Sequence, residues 1–150
     1  RSLERQALTE DRLVTFVSSE HPLARVGAIS VDELAEQAWV FREHGSGTQQ
    51  VLDQALRAAS IQVEPALRFG HTEAVKQAVS TGAYVGCLSQ WTLQRELERG
   101  EFVRLETPGP ELRRELAILR RKGGVQGPLS RRFVEHVRER LGTCPATVQG

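Results

Sequence analysis

The sequence contains no methionine, two cysteines and few aromatic residues, and its charges nearly cancel. Because it lacks even an initiator methionine, the chain is expected to be a processed product or an excised piece of a longer protein, and we favour the excised piece. Cys87, in an apolar run, and Cys144, near the end, have neither the spacing nor the second pair of ligands that a metal site needs. We therefore expect one buried thiol, one incidental thiol, and no metal or other cofactor.

Charge and hydropathy exclude further classes of protein. A formal net charge of +1 at pH 7 gives no electrostatic case for nucleic-acid binding by this chain itself. No stretch approaches the ~20 apolar residues of a membrane helix, and the N-terminus is too charged for a signal peptide. The 150 residues, 39% hydrophobic and 26% charged, fit one globular domain or one and a part. A cytoplasmic protein is predicted.

The sequence also lacks the common catalytic motifs. A nucleophile elbow, a Walker loop, paired metal histidines and a dinucleotide fingerprint would each be recognisable, and none is present. The four histidines are scattered along the chain. We therefore do not expect an enzyme.

Strand patterns alternate with helix patterns from residue 12 onward. Strands are predicted at residues 12–17, 39–42, 61–69, 84–88, 102–105 and 115–120. Helices are predicted at residues 30–37, behind a capping box, and at 48–59, 72–82, 91–99 and 129–141. Residues 1–11 have the composition of a linker or a helix remnant. The alternation favours an α/β fold with an open, mostly parallel sheet covered by helices on both sides.

The most informative segment is the turn Gly45-Ser46-Gly47-Thr48, which lies between an apolar strand and an amphipathic helix. Glycine permits unusual backbone angles, and the free N–H groups of a helix N-terminus carry about half a positive charge. These features favour a small anion as ligand. The alternative is that Ser46 or Thr48 caps the helix and no ligand binds.

A second candidate loop contains His71, Thr72 and Glu73, with Thr72 predicted as the cap of the next helix. In doubly wound sheets both loops lie beyond the carboxyl ends of the strands, where ligands bind. Arg42 and Arg68 are possible counter-charges, but they could equally be solvated residues at strand ends. His71 could be an incidental histidine in an exposed loop. Glu73 could be present because acids are favoured in the first turn of a helix, with or without a ligand.

Five motifs occur in an order that resembles the effector-binding region of the LysR-type transcriptional regulators. The resemblance covers about residues 12–141. The motifs are His21-Pro22-Leu23-Ala24, Phe41-Arg42-Glu43 with the turn at 45–48, the segment 72–79, Gly82-Ala83-Tyr84-Val85-Gly86, and the final strand, break and helix.

The resemblance implies a fold like a type 2 periplasmic binding protein, with two α/β subdomains around a cleft. Residues 1–24 would be a linker and the first crossover strand, and residues 25–111 the second subdomain. Residues 112–142 would be the return crossover strand and the last helix of the first subdomain, with a flexible tail at 143–150. The family's winged helix-turn-helix and the first half of its first subdomain have no counterpart here.

The resemblance also implies a function: sensing a small effector for a regulator that contacts DNA through its absent N-terminal domain. The residues of the two loops favour an anionic effector. Effector-binding residues are then expected at Arg42, Gly45, Ser46, Gly47, Thr48, His71, Thr72 and Glu73. Intact members form homo-oligomers, dimers or tetramers, and the helix at 48–59 is a candidate dimer surface. The alternatives are a fragment of a periplasmic solute-binding protein and an α/β oligomerisation module.

Overall fold

The structure, a computed structural model, describes residues 2–26, 28–107, 109, 111–124 and 127–142. The strands are β1 (Leu3–Ser18), β2 (Trp39–Arg42), β3 (Pro65–Phe69), β4 (Val85–Ser89), β5 (Phe102–Arg104) and β6 (Leu112–Arg121). The helices are α1 (Val31–Ala35), α2 (Gly47–Ala58), α3 (Thr72–Ser80), α4 (Gln90–Glu98) and α5 (Pro128–Gly142), with a 3-10 helix at Pro22–Arg25. The predicted tail at 143–150, with Cys144, lies outside the described residues.

The chain divides into two compact units. The larger unit is Asp11–Arg114, and the smaller unit combines Arg1–Glu10 with Glu115–Gly150. Each of the strands β1 and β6 contributes residues to both units. Among the described residues, no helix is long and apolar enough to cross a membrane.

The sheet has the order β3-β2-β4-β1-β5, and β6 also pairs with β1. Strand β2 is parallel to both β3 and β4, whereas β1 is antiparallel to both β4 and β5. The predicted α/β class is confirmed, but the sheet is mixed and not mostly parallel. The chain passes from β2 to β3 through α2 and from β3 to β4 through α3, and such helical connections allow the strands to be parallel. Strand β1 is antiparallel to β4 and β5 and needs no helical crossover to either of them.

Both faces of the sheet in the larger unit are covered by helices, as predicted. Side chains alternate along β2, so Trp39 and Phe41 pack in one core cluster with α2 and Val40 packs in the other with α3. The Trp39 indole nitrogen donates to the Leu34 carbonyl of α1 at 2.9 Å. This contact satisfies the one polar atom of a fully buried ring.

The prediction of a linker or helix remnant at residues 1–11 is wrong, because β1 begins at Leu3. This part of β1 is mostly polar and exposed. Oppositely charged side chains join it to β6: Arg5 pairs with Glu115, and Glu4 pairs with Arg120 at 3.4 Å. Cross-strand ion pairs of this kind stabilise a sheet without any apolar pattern in the sequence.

Other elements differ from the predictions in their bounds. The capping box at Ser30 is confirmed, and Glu33 accepts from the Ser30 amide at 2.9 Å, but α1 is shorter than predicted. Strand β3 begins at Pro65, because the chain after α2 first turns through Ser60, whose φ is 57°. In α5 the apolar positions Leu129 and Phe133 are 83% and 67% exposed, so the predicted apolar face is not a buried one.

Gly86 provides a test of this packing. A Cβ atom there would lie 2.8 Å from a ring carbon of Phe16 and 2.9 Å from a methyl carbon of Val79, and both residues are fully buried. Gly86→Ala should therefore lower the free energy of unfolding by about 1–3 kcal/mol. Chemical denaturation measures the effect, with Gly70→Ala as the control because a Cβ at Gly70 meets nothing within 4 Å. Equal stability of the two variants would contradict the packing described.

Candidate functional site

The candidate site lies at one edge of the sheet in the larger unit. Strands β2, β3 and β4 are parallel, so their carboxyl ends meet at this edge, and helices α2, α3 and α4 begin there. Strand β1 is antiparallel to β4, with Leu13 opposite Ser89. The antiparallel register brings Asp11, at the start of the larger unit, to the same edge.

The turn before α2 has the predicted conformation for a glycine-hydroxyl loop. Gly45 has a φ of +88°, and Ser46 is the N-cap of α2, with its hydroxyl accepting from the Gln49 amide at 3.4 Å. The Gln49 side chain also accepts from the Arg42 amide at 3.0 Å, which ties the helix start to the end of β2. Ser46 therefore caps the helix, as the alternative without a ligand predicted. The groups that could still bind a ligand belong to Gly47 and Thr48.

The first turn of α2 has polar groups available for a ligand. Within the described residues, neither the Gly47 amide nor the Thr48 amide donates a hydrogen bond to a protein acceptor. The first turn contains no acidic residue that would balance the positive end of the helix dipole. An anion placed there could accept from both amides.

A buried polar network, which we call the Asp11 network, lies against this helix start and consists of Asp11, Thr48, Ser89 and Arg114. The Ser89 hydroxyl donates to one Asp11 carboxylate oxygen at 2.7 Å, and Arg114 Nε donates to the other at 2.8 Å. Arg114 Nη1 donates to the Thr48 hydroxyl at 3.1 Å. The Asp11 side chain is 1% exposed and that of Arg114 is 26% exposed. A guanidinium therefore lies beside the first turn of α2.

The Arg42 side chain links the end of β2 to the loop before α3 by hydrogen bonds. Its guanidinium donates to both carboxylate oxygens of Glu43 at 2.8 and 2.9 Å, and to the Thr72 hydroxyl at 3.0 Å. Hydrogen bonds from Arg42 hold the pKa of Glu43 below its usual value. The N-cap of α3 is His71 and not Thr72 as predicted, and the His71 side chain makes no capping hydrogen bond.

The remaining predicted residues of this region are engaged elsewhere or exposed. Glu73 forms an ion pair with Lys76 at 3.1 Å, and His71 is exposed. The Arg68 guanidinium lies 5.2 Å from the centre of the Phe41 ring and donates to the Arg42 carbonyl at 3.2 Å. The structure thus brings Arg42 together with Thr72, and places Gly47 and Thr48 beside Arg114.

Sequence reasoning missed Asp11, Ser89 and Arg114. Each is a polar residue at or near the end of a predicted strand, and this position was the one feature of the sequence that could have indicated a binding role. Nothing local indicated that they meet, because Asp11 and Arg114 come from opposite ends of the larger unit. The buried state predicted for Cys87 is confirmed, and burial raises the pKa of its thiol to about 12. Among the described residues, no three metal-ligating side chains cluster.

A second polar cluster joins α3 to α4 and includes Glu73, one of the predicted binding residues. Lys76 Nζ lies 2.5 Å from Glu96 and also contacts Glu73. Burial raises the pKa of Glu96, but the hydrogen bond and charge of Lys76 outweigh it and hold the net pKa below its usual value. Burial likewise opposes the charge of Lys76, and the two carboxylates nevertheless raise the pKa of that lysine.

The lowered pKa of Glu96 has a consequence for stability. Its contribution is present above the pKa of the unfolded chain and is lost as the pH falls through the lower folded pKa. Glu96→Gln should therefore lower the melting temperature at pH 7, and the gap to the wild type should narrow as the pH falls below about 4. Thermal melts over this pH range test the effect, and a gap that stays constant would contradict the ion pair as its source.

Known structures place this fold among the regulatory domains of bacterial transcriptional regulators. The chain is similar to the CcmR regulatory domain of Synechocystis PCC6803 in complex with 2-PG, with a TM-score of 0.82 and 28% identity, over 97% of this chain and 70% of that one. It also resembles the effector binding domain of QuiR in complex with shikimate, with a TM-score of 0.74 over 93% and 65% of the two chains. At 21% identity the second likeness shows the fold alone. The fold is therefore of the type 2 periplasmic-binding-protein kind, as expected.

Sequence comparison then identifies the family. Residues 1–142 match the LysR substrate binding domain, and the chain belongs to this family. It is 34% identical over 127 residues to the HTH-type transcriptional regulator YeiE of Escherichia coli K12, covering 85% of this chain and 43% of that protein. It is also 34% identical to the RuBisCO operon transcriptional regulator of Allochromatium vinosum, covering 90% and 45%. The chain thus spans less than half of these relatives, which are named as transcriptional regulators.

The two glycines of the α2 turn should respond differently to substitution. Gly45→Ala places a side chain at positive φ and should lower the free energy of unfolding by about 1–2 kcal/mol. Gly47→Ala should leave stability unchanged or slightly increase it, because its φ is ordinary and a Cβ would lie 3.5 Å from Arg114 Nη1, a normal contact. Denaturant titration of both variants tests this difference, and equal losses of stability would show that the turn is not built as described.

Proposed function

We propose that this chain is the effector-sensing region of a LysR-type regulator and that it binds a small anionic metabolite at the start of α2. The observation that carries the proposal is the first turn of α2. There, two amides without a protein acceptor among the described residues and the Thr48 hydroxyl lie beside a guanidinium. Helix dipole, amides and guanidinium all favour negative charge at the same place.

The proposed binding residues fall into two groups. Gly47 and Thr48 supply amides and a hydroxyl, while Gly45 and Ser46 set the turn that presents them. Arg42, at the end of β2, and His71, Thr72 and Glu73, at the start of α3, form a second wall. In this wall Nε, Nη1 and Nη2 of Arg42 all donate to protein acceptors, so the wall would contact polar, uncharged parts of the effector.

The relatives support this assignment. The CcmR regulatory domain, similar to nearly the whole of this chain, was solved in complex with the small molecule 2-PG. Membership of the LysR family favours the regulator over the solute-binding fragment and the oligomerisation module. We infer a role of the same kind for this chain, with its own ligand chemistry set by the α2 turn.

In the whole protein, an effector that binds one arrangement of the subdomains better than another would shift the population toward that arrangement. We place the second subdomain at residues 25–111 and the flanking crossover segments at 1–24 and 112–142. The signal would pass to a DNA-binding domain outside this chain, within a cytoplasmic homo-oligomer in which the outer face of α2 contributes to pairing. DNA recognition would rest entirely on that other domain.

A thermal-shift titration tests the anion site. We expect inorganic phosphate, sulfate or a panel of sugar phosphates and carboxylates to include a ligand that raises the melting temperature by several degrees at ~100 times its dissociation constant. Thr48→Val removes the hydroxyl with little change of shape and should lower the affinity for this ligand at least tenfold, since a hydrogen bond to a charged group contributes about 1.5–3 kcal/mol. Thr48→Ser keeps the hydroxyl and is the matched control.

Two outcomes would argue against the proposal. If no anion in the panel shifts the melting temperature, the α2 turn is a helix cap without a ligand. If Thr48→Val and Thr48→Ser bind the ligand equally well, the site lies elsewhere in the chain.

A further inference from the structure

We propose that Arg114 is the residue that recognises the charge of the effector, and that Asp11 is the positioning residue that holds it in place. This inference rests on the proposed function and specifies the chemistry of the same site. The negative group of the effector is a carboxylate or a phosphate, and its oxygens contact both Arg114 and the first turn of α2.

The guanidinium of Arg114 is only partly engaged by protein acceptors. Arg114 Nε is directed at Asp11, and Nη1 at the Thr48 hydroxyl. Within the described residues Nη2 has no protein acceptor, and about a quarter of the side chain is exposed. The edge that carries Nε and Nη1 is therefore fixed by the protein, while Nη2 can donate to a ligand.

The charge of Arg114 lies in an electrostatically unfavourable position. Arg114 places a positive charge at the positive end of the α2 dipole, where a cation is unfavourable. Asp11 compensates the charge of the guanidinium, but both of its carboxylate oxygens are already hydrogen-bonded, to Ser89 and Arg114. Among the described residues, neither of these oxygens accepts a hydrogen bond from an amide of α2. An anion between Arg114 and the helix start would satisfy both groups at once.

Asp11 gives the guanidinium its fixed orientation. A buried carboxylate held by the Ser89 hydroxyl restricts Arg114 to a narrow range of conformations, so less side-chain entropy is lost when an anion binds. The planar guanidinium then presents parallel N–H groups to a carboxylate or phosphate, an arrangement that a lysine ammonium does not reproduce.

The other arginines near the site are less suited to this role. Arg42 donates to both oxygens of Glu43, and Arg68 lies over the Phe41 ring and donates to a backbone carbonyl. Arg114 thus replaces Arg42 as the counter-charge of the anion. Its sequence neighbours gave no indication of this, because the role depends on Asp11 and Thr48.

The test uses inorganic phosphate as the probe and the 150-residue chain. Asp11→Asn/Arg114→Gln removes both charges of the pair while keeping groups that can hydrogen-bond to each other and to Ser89. We expect phosphate to bind this double variant at least tenfold more weakly than the wild type, by isothermal titration calorimetry. The matched control is Arg12→Gln/Glu111→Gln. It neutralises a neighbouring ion pair, with 2.6 Å between the charged atoms, in which Arg12 is 23% exposed and Glu111 also pairs with Arg113. This control should bind phosphate like the wild type.

The outcomes separate this inference from the proposed function. Absence of phosphate binding in the wild type, together with the absence of any stabilising anion, would overturn both. Phosphate binding that is equal in the wild type and in Asp11→Asn/Arg114→Gln would leave the anion site standing and overturn the role of Arg114. Equal weakening in the two double variants would also overturn it, because the effect would then not be specific to the Asp11–Arg114 pair.

A second measurement avoids the possibility that the double variant does not fold. In the wild type, the guanidinium N–H resonances of Arg114, assigned through Arg114→Lys, should shift on titration with phosphate and remain in place with the same concentration of chloride. Resonances of Arg12 serve as the internal control and should not move. Unchanged Arg114 resonances at saturating phosphate would contradict direct recognition.

Discussion

The larger unit depends on the burial of one carboxylate. Asp11 is almost completely removed from water, and a charge in that position is tolerated only when it is paired and hydrogen-bonded. Ser89 and Arg114 each satisfy one oxygen. To do so, the middle of β1, the end of β4 and the start of β6 must lie in one fixed arrangement. The same arrangement determines where the guanidinium meets α2, so the requirement of a buried acid also organises the candidate site.

The mixed direction of the sheet explains why this acid lies where it does. The parallel strands β2, β3 and β4 bring three helix N-termini to one edge and supply only partial positive charges there. Because β1 runs the other way, its first residues in the larger unit reach that edge. A parallel β1 would have placed Asp11 at the opposite edge, far from Thr48. Strand reversal therefore combines helix dipoles with a paired arginine in one place.

Local patterns predicted the parts of the molecule that local forces determine. The capping box at Ser30, the glycine-hydroxyl turn at 45–48 and the alternation of strands and helices follow from contacts within a few residues, and they are present. The resemblance to LysR regulators is confirmed as family membership. The polar strand at the N-terminus was missed, because it is held by cross-strand ion pairs such as Arg5 with Glu115 and not by apolar residues. The Asp11 network has no local signature for the same reason.

The contact between Asp11 and Arg114 joins positions 103 residues apart. A growing polypeptide therefore has no complete Asp11 network until nearly the whole larger unit has left the ribosome. A ligand that requires this network would bind the finished fold and not an incomplete chain, and by mass action it would stabilise only the former. Such a ligand would therefore protect the completed fold, and not an incomplete chain, from proteolysis.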